Sequence, residues 1–321
     1  MVFNSNIVNG QVDEGLIPDY ESSQFTIREK HEDLLERKLI SRNLTDGFIA
    51  VDLGGGYGRL TDLLLHHFKY VVLIDYSLRN MERAVKDLDS ERVLFMLADI
   101  RNPPILNGSV DFIMSIRVMH HYPDLDFLGF ITNKLRKGGS LLFNANNLSS
   151  PMFVLHMMKS LITNGKVGLN LFNPVTQGIS DSATRREVYF MKYRNLIDSI
   201  PKTCHVERII GAGMFHNSMI EAVADSLDVE RLTEMELHLS EVIKCAKLYP
   251  DVFLLLTNEV EFSIPPLSDP LDVVRCVVCG NRLKHDGSTV ICENCGKDYR
   301  YKGGILDMRN IRDGSGFKNS G

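Results

Sequence analysis

Short apolar runs alternate with amphipathic segments through most of the first 150 residues. Such apolar runs are typical of strands buried on both faces of a parallel sheet, and apolar residues three to four apart between them indicate helices. The pattern predicts a helix at 28–44, strands at 48–53, 70–75, 92–97, 110–116 and 140–145, and helices at 58–68, 78–88 and 125–135. This alternation predicts an α/β fold built on a doubly wound, mostly parallel sheet.

The alternation of apolar runs and amphipathic segments ends after Ser150. Residues 151–162 are predicted to be helical, 164–182 a loop and 182–200 a capped helix, so that about 150–184 form an inserted cap. Strands at 204–211 and 251–262, separated by two helical stretches, complete a seven-stranded sheet. Three of the eleven prolines fall within 263–270, which predicts a linker. The domains expected are therefore 1–262, a linker at 263–270, a small module at 271–310 and a flexible tail at 311–321.

Composition adds limits on the class of protein. The chain has 321 residues, of which 44% are hydrophobic and 24% charged, a composition typical of a globular protein rather than a disordered or collagen-like one. The net charge of -5 divides into -8 for residues 1–270 and +3 for 271–321, a difference that fits either a solvated surface or an anion-binding one. With no apolar run of membrane-spanning length and no signal-like N-terminus, a cytoplasmic location is expected.

A glycine-rich loop follows the first predicted strand, in the order Asp52-x-Gly54-x-Gly56-x-Gly58. Glycines let the backbone turn tightly and bring amide groups close to a ligand. The dinucleotide pattern G-x-G-x-x-G fails, because Arg59 stands where its third glycine belongs. Acidic residues instead end the next two strands, at Asp75 and Asp99.

At these residues the sequence resembles the class I S-adenosylmethionine-dependent methyltransferases, and the resemblance covers residues 48–146. It implies transfer of a methyl group from S-adenosylmethionine by in-line displacement. The cofactor-binding residues that it implies are Asp52 and the Gly54–Gly58 loop at the methionine part, Asp75 at the two ribose hydroxyls, Tyr76 and Ile100 against the adenine, Asp99 at the adenine amine, and Ser115. The alternative is that Asp75 and Asp99 only cap strand ends.

The segment after the fourth strand is where an acceptor would bind, because ligands of open α/β sheets lie beyond the carboxyl ends of the strands. The candidates there are Ser115, Arg117, His120, His121 and Tyr122. His120 is the candidate general base, since an imidazole titrates near neutral pH. The alternative is that its ring packs structurally or lines the cofactor pocket, since methyl transfer to an unprotonated acceptor needs no base. The isolated Cys204 and Cys245 are predicted to be buried thiols.

Four cysteines near the C-terminus form two C-x-x-C pairs, Cys276 with Cys279 and Cys292 with Cys295, each followed by glycine. This spacing predicts a tetrahedral four-thiolate zinc site. A redox pair or an iron site is the alternative. Residues 275–309 also resemble the small zinc-ribbon proteins that activate tRNA, rRNA and release-factor methyltransferases.

Two functions are carried forward from the sequence. The first is a methyltransferase whose acceptor is a small molecule or RNA, with S-adenosylmethionine and zinc as cofactors and a possible protein partner at the ribbon. The second is a non-catalytic S-adenosylmethionine-binding scaffold whose ribbon docks RNA or protein.

Overall fold

The structure, a computed structural model, describes residues 7–8, 11–12, 27–89, 91–151, 176–180, 187–215, 228–286 and 289–309. In chain order the elements are β1 (Ile7–Val8), β2 (Gln11–Val12), α1 (Ile27–Ser41), β3 (Gly47–Leu53), α2 (Thr61–Leu65), β4 (Phe68–Asp75), α3 (Leu78–Asp87), β5 (Val93–Leu97), β6 (Val110–Ser115), α4 (Leu128–Thr132), β7 (Leu135–Asn146), β8 (Thr176–Ser180), β9 (Glu187–Met191), α5 (Tyr193–Asp198), β10 (Cys204–Ala212), α6 (Val229–Val242), β11 (Asp251–Asn258), β12 (Leu283–Asp286), β13 (Thr289–Cys292), β14 (Asp298–Lys302) and β15 (Ile305–Asp307).

One large sheet organises the fold, in the strand order β10-β11-β7-β6-β3-β4-β5-β15-β14-β13-β12. Five adjacent strands are parallel to one another, in the sheet order β7-β6-β3-β4-β5. Strand β11 is antiparallel to both of its neighbours, β10 and β7. These seven strands confirm the predicted doubly wound, mostly parallel α/β fold. The chain winds one way from β3 to β5 and the other way from β6 to β7, so a crevice opens between the carboxyl ends of β3 and β6.

Helices cover both faces of this sheet. On one face, apolar side chains of α1, α2, α3 and α6 pack against alternate strand residues, as Leu39, Leu64, Met81 and Leu237 do. On the other face, α4 and α5 pack against the remaining strand residues. Burial of these apolar surfaces is the main force that holds the layers together. Within the described part of the chain, no helix is long and apolar enough to cross a membrane.

The C-terminal strands extend the same sheet. Strand β15 pairs in parallel with β5, from Ile305 opposite Phe95 to Asp307 opposite Leu97, and β14, β13 and β12 follow it as an antiparallel meander. The segment before them pairs with the loop after β5, where Leu106 N donates to Val273 O at 2.7 Å. The described backbone of 270–286 and 289–309 is therefore joined to β5 and to the loop that follows it.

Four local predictions, two of secondary structure and two of cysteine burial, are corrected by the structure. Residues 187–191, predicted within a helix, form β9, which pairs with β8 from the predicted loop. The stretch Val188-Tyr189-Phe190 is rich in β-branched and aromatic residues, so pairing with β8 overrides the local helical pattern. Cys245 is exposed and Cys204 only partly buried. Most of the predicted cap, at 152–175 and 181–184, and the predicted tail at 311–321 lie outside the described residues.

Candidate functional site

The glycine loop turns sharply between β3 and α2. Gly54 has a φ of +77°, and a Cβ added there would lie 2.5 Å from a methyl group of Val118. Gly56 has a φ of +60°, and an added Cβ would meet only Asn80, at 3.6 Å. Both positions need the left-handed conformation that glycine adopts without strain. The loop is packed beneath Gly54 and open at Gly56, as close approach of a ligand to the backbone requires.

Asp52, at the end of β3, is buried beneath this loop. Its carboxylate accepts a hydrogen bond of 2.6 Å from the Thr61 hydroxyl at the start of α2. Burial raises the pKa of Asp52 to about 7, and the Thr61 hydrogen bond opposes that rise only in part. Asp52 therefore ties β3 to α2 and fixes the shape of the loop.

Asp75 ends the neighbouring strand β4 and faces the loop. Its Oδ2 accepts from Gly56 N at 3.0 Å, and its Oδ1 accepts from Ser77 N at 2.8 Å. Ser77 in turn caps α3 by accepting from Asn80 N at 3.2 Å. Each carboxylate oxygen can accept a second hydrogen bond. Asp75 is thus oriented by two backbone amides.

The other predicted cofactor residues lie along the same edge with partners of their own. Asp99 forms a 2.6 Å ion pair with Arg101, and although burial acts the other way, the Arg101 hydrogen bonds hold the pKa of Asp99 below its ordinary value. Ile100 is buried next to it. Ser115 is fully buried, and its hydroxyl donates to Leu53 O at 2.9 Å. The Ser115 hydroxyl therefore links β6 to β3.

His120 lies in a 3₁₀ turn after β6, with its ring 4.2 Å from the ring of His121. Burial, with a smaller contribution from His121 and Arg117, lowers the pKa of His120 to about 3. The imidazole is therefore neutral at physiological pH. Because this pKa is so low, the neutral imidazole is too weak a base to take a proton effectively from an acceptor.

A partly buried polar cluster beside this turn was missed by the sequence reasoning, except for Arg117. Arg117 has a φ of +60°, donates to Glu36 Oε1 at 2.6 Å and forms an ion pair with Glu32 Oε2 at 3.3 Å, both on α1. Its backbone N donates to the buried Asn144 Oδ1 at 2.7 Å. Burial, together with the nearby Glu32 and Glu36 carboxylates, raises the pKa of Asp251 to about 7. The residues come from four distant segments, so no local pattern identifies them.

The C-terminal strands reach the cofactor edge through Arg309. Its Nη1 donates to Tyr76 O at 3.3 Å, and its guanidinium lies 5.5 Å from the centre of the Tyr76 ring. Asp307 holds the guanidinium by two hydrogen bonds, of 2.9 and 2.7 Å. The Arg309 side chain is only 8% exposed. A residue beyond the predicted linker thus supports the predicted adenine-binding tyrosine.

The four cysteines of the two C-x-x-C pairs come together, with all Sγ atoms within 4.8 Å of one another. Sγ of Cys276 lies 3.6 Å from that of Cys295, and Sγ of Cys279 lies 3.4 Å from that of Cys292. A tetrahedron with metal–sulfur bonds of about 2.3 Å has sulfurs about 3.8 Å apart. The arrangement therefore fits a four-thiolate metal ion.

Each pair forms the same turn. Gly280 N donates to Cys276 O and Gly296 N to Cys292 O, both glycines having a φ near +70°. The two turns are joined through the strands, since β12 pairs with β13. The local spacing thus builds each half of the site, and strand pairing brings the halves together.

The fold, the glycine loop and the acidic strand ends define a class I S-adenosylmethionine-dependent methyltransferase architecture. Residues 51–143 match the family model described as a methyltransferase domain. This match and the fold confirm the resemblance drawn from the sequence. The chain carries a methyltransferase domain, and its C-terminus carries a four-cysteine cluster.

Solved structures share the fold at low sequence identity. A candidate S-adenosylmethionine-dependent methyltransferase from Listeria monocytogenes is 17% identical with a TM-score of 0.51, covering 72% of this chain and all of its own. An S-adenosylmethionine-dependent methyltransferase from Mesorhizobium loti is 13% identical, with a TM-score of 0.46. The match covers 71% of this chain and all of that one. A complex of the Haloferax volcanii Trm112 methyltransferase activator with a candidate methyltransferase has a chain that is 15% identical, with a TM-score of 0.47. The match covers 73% of this chain and 92% of that one. No curated protein matches the chain.

Proposed function

We propose that the protein binds S-adenosylmethionine across the carboxyl ends of β3 to β6 and transfers its methyl group to an acceptor. The observation that carries the proposal is the glycine loop with Gly56 N on the Asp75 carboxylate, within the segment that matches the methyltransferase family. A carboxylate can accept from two vicinal hydroxyls, and this is the role that we assign to Asp75 at the ribose. Asp52 and the Gly54–Gly58 loop border the methionine part.

The adenine end of the proposed site lies between Tyr76 and the loop after β5. Tyr76 and the buried Ile100 supply apolar surface, and Asp99 accepts from the adenine amine. Because Asp99 already binds Arg101, its carboxylate is shared between the two. Ser115 contributes by fixing the spacing of β6 and β3 rather than by a free hydroxyl.

The bound cofactor supplies an electrophilic methyl group on a sulfonium. The protein then has to position the acceptor in line with that methyl group and exclude water. His120 is half-buried and its low pKa makes it a poor proton acceptor, so we propose that it lines the site rather than acting as the base. We propose that the acceptor is a small molecule or RNA, and that residues 1–262 form the methyltransferase domain and 271–310 the zinc ribbon, which pairs with the edge of its sheet.

We propose that Cys276, Cys279, Cys292 and Cys295 hold one zinc ion as thiolates. Metal binding would supply the folding energy that so short a segment lacks. The alternative function is a non-catalytic scaffold whose ribbon docks RNA or protein. Such a scaffold would bind S-adenosylmethionine but would not turn it over, so turnover distinguishes it from the enzyme.

Calorimetric titration of the full chain with S-adenosylmethionine, S-adenosylhomocysteine and NADH tests cofactor binding. We expect both sulfur compounds to bind and NADH not to bind. Asp75→Ala should weaken binding by roughly 10–100-fold, the value of one hydrogen bond to a charged group, and His120→Ala should weaken it much less. Binding of NADH alone would contradict the proposal.

Turnover is tested by the release of S-adenosylhomocysteine with cell extract separated into RNA, protein and small molecules. Release with one fraction identifies the acceptor class. Tight cofactor binding with no release from any fraction would favour the scaffold.

A further inference from the structure

A tyrosine from the strand after the second cysteine pair reaches the first pair. Tyr299 lies on β14, is 4% exposed, and places its hydroxyl oxygen 3.0 Å from Cys276 Sγ. The same oxygen accepts a hydrogen bond of 3.1 Å from Val277 N, inside the first C-x-x-C turn. Tyr299 is held in place by pairing with Val290 on β13.

The direction of the contact with sulfur follows from chemistry. A cysteine that binds a metal ion does so as a thiolate, which can accept a hydrogen bond but has no proton to donate. The Tyr299 oxygen already accepts from Val277 N, and its own proton remains free to be donated. Once Cys276 is a thiolate, the hydroxyl must therefore be the donor.

The four thiolates differ in surroundings. Cys276 and Cys292 are buried, at 3% and 2% exposure, whereas Cys295 is exposed to solvent. A buried thiolate without water needs hydrogen-bond donors from the protein. Cys276 has a long contact from Val278 N, at 3.4 Å, and the shorter one from Tyr299.

We infer that Tyr299 is a positioning residue of the metal centre, whose hydroxyl donates to the Cys276 thiolate and orients it toward the ion. The inference rests on the proposed metal site and adds to it a fifth side chain that binds no metal itself. Groups that hydrogen-bond to ligands typically change metal affinity by about 10–100-fold. The contact also ties the second half of the site to the first.

The test compares Tyr299→Phe with the wild-type full chain. Phenylalanine keeps the ring that packs in the interior and removes only the hydroxyl. Tyr301→Phe is the matched control, because Tyr301 lies on the same strand and its ring contacts His285, at 5.2 Å between centres, rather than a cysteine. Metal-free protein is titrated with Co²⁺, and Zn²⁺-loaded protein is titrated with the chelator pyridylazoresorcinol.

In the chelator titration, we expect the affinity of Tyr299→Phe for Zn²⁺ to be about 10–100-fold weaker than that of wild type. The affinity of Tyr301→Phe should match that of wild type. At saturating Co²⁺, the sulfur-to-metal charge-transfer band of Tyr299→Phe should move to longer wavelength, because a thiolate without the donor is easier to oxidise. This band reports on the loaded site even where the variant is less stable.

Two results would overturn the inference in different ways. If wild type binds Co²⁺ and Tyr299→Phe gives the same band and the same chelator curve, the tyrosine has no role at the metal and the proposed site stands. If wild type takes up neither Co²⁺ nor Zn²⁺, the proposed metal site fails and the role of Tyr299 fails with it.

Discussion

Replacing Arg309 with alanine would remove the side chain by which the C-terminal strands support the proposed adenine end of the cofactor site. Arg309 follows β15 and donates to Tyr76 O across the β15–β5 junction. If Tyr76 packs against the adenine, its position depends on this contact. Arg309→Ala should therefore weaken the binding of S-adenosylhomocysteine although Arg309 belongs to no predicted cofactor motif.

The size of the effect follows from two contacts. A hydrogen bond from a charged donor contributes about 1.5–3 kcal/mol, and at 3.3 Å the lower end is appropriate. The cation–π contact over Tyr76 adds about 0.5–1 kcal/mol. Only part of this sum appears in binding, because Tyr76 keeps its other contacts. We expect a loss of about 1–2 kcal/mol, or roughly 5–30-fold in Kd.

The assay is calorimetric titration with S-adenosylhomocysteine. Lys302→Ala is the control, because Lys302 is an exposed cation in the same module. Arg309→Lys keeps the charge without the planar fork and should restore only part of the affinity. Zinc content and melting temperature are measured for each variant, because loss of the partner of Asp307 also destabilises the fold locally.

A Kd for Arg309→Ala within twofold of wild type, in protein with normal zinc content, would refute the reasoning. It would mean either that Tyr76 does not contact the cofactor or that β15 does not position it. A loss of affinity equal in Arg309→Ala and Lys302→Ala would point instead to a general effect of charge.

Three further predictions concern other parts of the molecule. Burial, together with the nearby Glu32 and Glu36, raises the pKa of Asp251 to about 7, above its unfolded value of about 3.9. The folded state therefore holds this proton more tightly than the unfolded state does. The resulting contribution to stability is complete below pH 4 and is lost as the pH rises through 7. Asp251→Asn should therefore raise the free energy of unfolding by about 1–4 kcal/mol at pH 8 and by less at pH 5, in urea denaturation. Gly54→Ala should destabilise the chain by at least about 2 kcal/mol in urea denaturation, because of its positive φ and the 2.5 Å approach to a Val118 methyl. Cys279→Ser should reduce zinc to below about half an equivalent and speed amide exchange in 276–302.

Each of these has a matched control. Asp126→Asn changes an exposed carboxylate and should leave the pH dependence of stability unchanged. Gly129→Ala adds a Cβ with nothing within 4 Å and should not destabilise. Cys245→Ser removes an exposed cysteine outside the cluster and should keep full zinc content. Equal behaviour of variant and control in any pair would contradict the corresponding prediction.

Most of the architecture could be predicted from the sequence, because its signals are local. The apolar runs that became β3 to β7, the glycines that require positive φ, and the C-x-x-C-G turns each depend on residues close together in the chain. The parallel sheet follows from strands that are buried on both faces. The roles assigned to Asp75, Asp99 and His120 stay predictions, since their position at the strand ends does not by itself establish ligand contact.

Tertiary structure decided what depends on pairing between distant segments. The 187–191 segment had a helical pattern and became β9 only because β8 lies beside it. The Glu32 and Glu36 carboxylates of α1 act electrostatically on Asp251 at the start of β11. Arg309 meets Tyr76 because β15 pairs in parallel with β5, more than 200 residues away in the chain. Hydrophobic periodicity specifies which face of an element is buried, but not which distant partner will cover it, and these contacts depend on that choice of partner.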